Sequence, residues 1–151
     1  MLKGIHPLLI ADLLRALRAM GHGDEIAVVD ANFPAASLGP QVIELSGASS
    51  PEALAAILTV FPVDTRAAPA AFTMEVVGNP GAMPEPVADF AAVFTDCGLA
   101  DCEIGQLERH AFYERARGAF AIVRTGELRP YGNILLLKGV INSMDPAHPV
   151  P

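Results

Sequence analysis

Between Ala11 and Met20 the apolar residues fall at Leu13, Leu14, Leu17 and Met20, with Arg15 and Arg18 between them, which is the spacing of a helix with one apolar face. Pro7 precedes this segment and Gly21 follows it. The pattern therefore predicts one amphipathic helix, with Gly21 as a left-handed C-terminal cap and Gly23 turning the chain again. Glu25 to Asp30 then reads as a strand built on Ile26-Ala27-Val28-Val29, and Asp30 is the polar residue that breaks the apolar run at its carboxyl end. Ala31 to Pro40 carries two prolines, a glycine and a serine and reads as a loop, whereas Gln41 to Leu45 alternates as a second strand. Ser49-Ser50-Pro51-Glu52 opens a helix that Pro62 ends. Either a capping box from Ser49 to Glu52 starts it, or Ser50 caps it with Pro51 at the first helical position.

The second half repeats the alternation. Ala71 to Val77 is β-favouring, and Asn79-Pro80-Gly81 turns the chain. Pro84 to Phe94 has Val87, Phe90, Ala91 and Phe94 on one helical face. A short strand at Glu103–Glu108, a helix at Phe112–Gly118 and buried strands at Phe120–Val123 and Ile134–Leu137 complete the series. Strands alternating with helices predict an α/β domain, here spanning residues 1–141. The three prolines of residues 142–151 and the scarcity of residues to pack predict a C-terminal tail that is flexible or draped on a neighbouring subunit.

Composition narrows the function. Hydrophobic residues make up 52% of the 151 residues and charged ones only 18%, so part of the surface is expected to be hidden in subunit contacts. No apolar run approaches the roughly 18 residues of a spanning helix, and no secretory signal opens the chain, so a cytoplasmic protein without membrane association is expected. A net charge of -7 with scattered Lys and Arg offers nucleic acid no basic field. Cys97 and Cys102 have no second pair to complete a zinc site and read as reduced thiols.

Candidate chemistry starts at Gly21-His22-Gly23-Asp24-Glu25, an imidazole on a tight connection, and at Asp30, where open α/β sheets place ligand groups. His22 taken alone also suits a helix end, and Asp30 alone a turn cap. A metal hydrolase using His22, Asp24, Asp30 and His110 lacks a histidine pair at one-turn spacing, and Gly21-His22-Gly23 lacks the later glycine of a dinucleotide fingerprint.

Several motifs in order, Met20-Gly21-His22-Gly23-Asp24-Glu25, Asp30-Ala31-Asn32-Phe33-Pro34-Ala35, Gly39-Pro40-Gln41-Val42-Ile43, Ala111-Phe112-Tyr113-Glu114-Arg115-Ala116, Thr125-Gly126-Glu127 and Tyr131-Gly132-Asn133-Ile134-Leu135, resemble the D-ribose pyranase and L-fucose mutarotase family (RbsD/FucU). The resemblance implies a three-layer subunit with a central, mostly parallel sheet flanked by helices, assembled into a ring homo-oligomer, often a decamer, with monosaccharide sites between neighbouring subunits and neither metal nor cofactor. It implies that His22 is the proton donor, Asp30 a substrate-binding carboxylate, Arg109 a substrate contact, and Tyr131, Gly132 and Asn133 the sugar-binding tripeptide. Ribose pyranases of this kind have histidine at the position of Arg109 and alanine at that of Gly132, so these two residues point to the fucose branch. Ribose pyranase activity and non-catalytic sugar binding are the alternatives. Tyr113 is a further phenolic candidate, and His6 and His110 read as structural.

These residue types suit the chemistry. Opening a cyclic hemiacetal takes a proton from the anomeric hydroxyl and gives one to the ring oxygen, and imidazole can serve in both directions near neutrality. Arg109 offers a rigid fork of donors, and Asn133 offers both a donor and an acceptor to vicinal hydroxyls. Asp30 would bind sugar hydroxyls or orient the imidazole.

Overall fold

A computed structural model describes residues 2–141, so the expected tail at 142–151 lies outside the described residues. Helix α1 (Ala11–Ala19) leads into β1 (Glu25–Val29), the short α2 (Ala35–Leu38) and β2 (Gln41–Leu45). Then follow α3 (Ser50–Leu58), β3 (Ala71–Met74), α4 (Glu85–Asp96), β4 (Ile104–Leu107), α5 (Arg109–Arg117), β5 (Ala121–Thr125) and β6 (Ile134–Leu137). The strands form one six-stranded sheet in the order β2-β5-β1-β6-β3-β4, in which β6 alone runs against the other five.

Alternation across the pleat builds a layer on each face. Ile26 and Val28 of β1 and Ile134 and Leu136 of β6 pack with α1, α3 and α4, through residues such as Leu13, Leu54, Ile57 and Phe90. Ala27, Val29 and Leu135 face the other way, onto Phe33, Phe112 and Ala116 of the α2–α5 side. β1 and β6 are thus buried on both faces, which is why their sequences read as unbroken apolar runs.

Ser49 caps α3, and the capping box is complete: the Glu52 N–H donates to Ser49 Oγ, and the Ser49 N–H donates to Glu52 Oε2 at 2.8 Å. Four local expectations need correction. Gly21 does not take the left-handed conformation; Gly23 does, at φ 84°, while the Gly21 N–H donates to Asp24 Oδ2 at 2.7 Å. The 31–40 segment is not all loop, because Ala35 and Leu38 bury themselves in the α5 side and wind the single turn of α2. The β-favouring run at 71–77 pairs only as far as Met74. Finally, α5 begins at Arg109 rather than Phe112, because the Glu108 carboxylate caps it by accepting from the N–H groups of His110 and Ala111.

Candidate functional site

Two ends of the sheet carry the predicted chemistry. At the carboxyl end of β1, Asp30 meets Asn133 at the start of β6, the neighbouring antiparallel strand. The Asp30 N–H donates to Asn133 Oδ1 at 3.0 Å, and Asn133 Nδ2 donates to Asp30 Oδ2 at 2.8 Å, so the amide is clamped by the backbone and side chain of one residue. Asp30 Oδ1 accepts the Asn32 N–H at 2.9 Å. Both residues are buried. Burial pushes the Asp30 carboxyl above the usual range, against the hydrogen bonds from Asn133, Asn32 and Phe33, and the nearby Glu127 charge adds to the rise.

These groups form the polar floor of a cleft of about 240 Å³, walled by Phe33, Met74, Arg109, Tyr113 and Tyr131. That volume is below the roughly 300–1,000 Å³ of drug-sized sites and suits a small polar ligand. Tyr131 is held at φ 65°, an unusual conformation for a residue with a side chain, and its hydroxyl accepts the Val77 N–H at 3.2 Å. Arg109 contributes a buried Nε with no hydrogen-bond partner among the described residues. Tyr113 stacks edge-on to Phe33 at 5.4 Å. A larger cleft of about 510 Å³ beside α4 is lined by Val87, Phe94, Leu99 and Ile104 and lacks converging charged groups, so size alone does not locate the chemistry.

Gly132 is buried behind this cleft rather than lining it. A Cβ there would lie 2.7 Å from Glu127 Cγ and 2.9 Å from Ser50 Oγ. Glu127 cannot give way easily, since its carboxylate accepts from Arg129 Nε at 2.9 Å and Nη2 at 2.8 Å, and Arg129 also reaches Asp89 at 2.9 Å. Gly132→Ala should therefore cost about 1–3 kcal/mol by overpacking and weaken ligand binding through the displaced Asn133. Thermal melting and ligand titration check this, and a variant equal to the parent in both contradicts the close approach.

His22 is elsewhere. It precedes β1, and the five residues of that strand put Asp30 six steps of about 3.3 Å beyond Asp24, so the imidazole lies about 20 Å from the cleft within one chain. Its turn is tied to the end of β6: the Gly23 N–H donates to Lys138 O, and the Lys138 N–H donates to Asp24 O, both at 2.9 Å. Lys138 Nζ in turn caps α1 by donating to the carbonyls of Leu17 and Met20. Exposed at the surface, His22 places Nε2 3.2 Å from Asp64 Oδ2. The residues of the postulated metal set, His22, Asp24, Asp30 and His110, are divided between the two ends. Among the described residues no group of three or more His, Cys, Asp or Glu converges as ligands.

The chain thus brings together Asp30, Arg109, Tyr113, Tyr131 and Asn133, sets Gly132 behind them, and holds His22 apart. Asn32, Phe33, Met74 and Val77 in the cleft wall and Asp64 beside His22 were missed by sequence reading. Phe33 and Asn32 lie in the motif that follows Asp30, but nothing local marks Asp64.

A sequence model described as the RbsD / FucU transport protein family matches residues 3–141. The chain belongs to the RbsD/FucU family. As a family member it superposes on the fucose mutarotase of Streptococcus pneumoniae, solved in complex with L-fucose, with a TM-score of 0.87 and 39% identity over 93% of this chain and 100% of that one. It is also similar to protein Atu2016, a suggested sugar-binding protein, with a TM-score of 0.89 and 40% identity over 94% and 97% of the two chains. Bacillus subtilis RbsD complexed with D-ribose matches with a TM-score of 0.75 and 25% identity over 94% and 100%. In this RbsD/FucU chain one expectation shifts: part of the hydrogen-bonding capacity of Asn133 is spent on Asp30, leaving one amide hydrogen and a carbonyl lone pair for a ligand. No helix among the described residues is long and apolar enough to cross a membrane.

Proposed function

We propose that this protein is a cytoplasmic sugar mutarotase that interconverts the α and β anomers of L-fucose or a related monosaccharide, at sites shared between neighbouring subunits of a ring. The observation that carries this reading is the separation of the imidazole from the Asp30–Asn133 cleft within one chain. An acid/base residue at one end of the sheet and a sugar cleft at the other can act together only if another copy brings its own His22 to the cleft. Such a contact joins two different patches, so it repeats head to tail, and it makes a ring when the rotation between neighbours closes. The family resemblance suggests ten subunits.

In the cleft, Asp30 and Asn133 would hold vicinal hydroxyls, and Arg109 would donate to a further oxygen. The neighbour's imidazole would take the proton of the anomeric hydroxyl. As the C1–O1 bond becomes a carbonyl, the bond from C1 to the ring oxygen breaks and that oxygen is protonated. Rotation about C1–C2 presents the other carbonyl face, and reversal of both transfers closes the ring as the opposite anomer. No covalent intermediate is required. Positioned proton transfer is worth about 10²–10⁴-fold, a useful gain for a reaction that also runs unaided in water.

The test is exchange between the anomer signals of L-fucose by NMR, with and without protein. Faster exchange supports the mutarotase, whereas saturable binding with unchanged exchange supports a non-catalytic sugar-binding protein. In the same assay Arg109→His, which installs the residue of the ribose branch, is expected to lose activity on fucose. An unaltered profile across fucose, ribose and galactose would count against Arg109 as the discriminating contact.

A further inference from the structure

Asp64 has no place in the reading above, yet it is built against the residue on which that reading depends. Its N–H donates to Leu137 O at 2.9 Å, and its side-chain Oδ1 accepts the Arg66 N–H at 3.2 Å, so the carboxylate is clamped in a local turn with Oδ2 directed at His22 Nε2. The two partners hang from the same short piece of chain after β6. Lys138 exchanges backbone hydrogen bonds with the His22 turn, and the Gly139 N–H donates to Pro62 O at 2.9 Å on the Asp64 side. Glycine is needed at 139 for that approach, because a Cβ there would lie 2.7 Å from Val63 O and 2.8 Å from Asp64 Cα. The Asp64 side chain is 15% exposed, against 59% for His22, so the carboxylate is the fixed member and the imidazole the one being positioned.

From this geometry we infer that Asp64 is a positioning residue for His22: it accepts the imidazole Nε2–H, sets the tautomer and aims Nδ1 outward at a sugar held by the neighbouring subunit. The inference rests on reading His22 as the proton-transfer residue. The Arg66 N–H, and after it His22, holds the Asp64 carboxyl below its usual range, so it is an anionic acceptor at neutral pH. A neutral imidazole carries one ring proton, and the hydrogen bond made by one nitrogen decides which atom is left with the lone pair. With Nε2–H committed to Asp64, Nδ1 is the atom free to accept a proton from the anomeric hydroxyl and to return one to the ring oxygen. Asp30, about 20 Å away at the far end of β1, cannot orient the imidazole of its own chain.

Asp64→Asn in the full-length oligomer separates this role from a merely structural one. Asparagine keeps the oxygen that accepts from Arg66 and so keeps the turn, but its amide donates where Oδ2 accepted and favours the opposite ring tautomer. The expected result is a fall in kcat for anomer exchange of about ten- to a hundredfold with KM within about twofold, and partial rescue in Asp64→Glu. In 15N-histidine-labelled protein the His22 ring should show a lone-pair Nδ1 in the parent and an N–H at Nδ1 in Asp64→Asn. A variant with the parent's kcat, or with an unchanged ring signature, overturns the inference. Failure of the underlying reading looks different: His22→Ala would then keep full activity, whereas the ring signature of Asp64→Asn reports the contact whether or not His22 is catalytic.

Discussion

Replacing His22 by alanine is expected to reduce anomer exchange by about 10²–10⁴-fold, the usual worth of positioned proton transfer, while leaving sugar binding nearly intact. The split follows from the geometry. Asp30, Arg109, Tyr131 and Asn133 make the cleft without help from His22 of the same chain, and the His22 side chain is exposed on a turn whose backbone is held by Lys138. Removing the imidazole therefore takes away no core contact, and the fold and the affinity should survive. NMR exchange rates paired with a ligand titration check both halves. Loss of binding together with activity would instead make His22 a substrate contact.

The second large effect concerns stability. Glu127 is 4% exposed and carries a carboxylate held to Arg129 by two hydrogen bonds, and that guanidinium pulls its pKa down to about 2 from an ordinary 4.5. A folded value below the unfolded one stabilises the protein at every pH above about 4.5, and the stabilisation is lost as pH falls from there towards 2. At 1.36 kcal/mol per pH unit the gap is worth about 3 kcal/mol. Glu127→Gln should lower stability by about that amount at pH 7, and the difference from the parent should shrink below pH 4.5. Urea unfolding of both proteins at one protein concentration measures it, since subunit association also contributes. Equal midpoints at pH 7 would show that the ion pair contributes little. Because Glu127 packs against Gly132, the same substitution should also loosen the Tyr131–Asn133 segment.

What could be read from the chain followed the range of the interactions involved. The face of α1, the apolar runs of β1 and β6 and the Ser49–Glu52 box depend on residues within a few positions of one another, and local periodicity displays them. The start of α5 was missed because its cap is a glutamate, outside the usual serine, threonine, aspartate and asparagine set. The turn of α2 was hidden by its flanking prolines, since only the tertiary burial of Ala35 and Leu38 favours it. In the site, the Asp30–Asn133 clamp joins residues 103 positions apart, and no spacing rule connects them. Resemblance alone suggested that both bind the sugar, and β6 brings them together by running antiparallel beside β1. The His22–Asp64 contact spans 42 positions and was invisible for the same reason.

In the proposed mutarotase each working site takes its imidazole from one subunit and its cleft from another. Mixing His22→Ala with Asp30→Ala subunits, by unfolding and refolding them together in equal amounts, tests it most directly. Each variant alone should be nearly inactive. In the mixed assembly random placement restores an intact His22 opposite an intact Asp30 at about one site in four, so about a quarter of the parent's exchange rate should return. A mixture as inactive as its components would contradict the account.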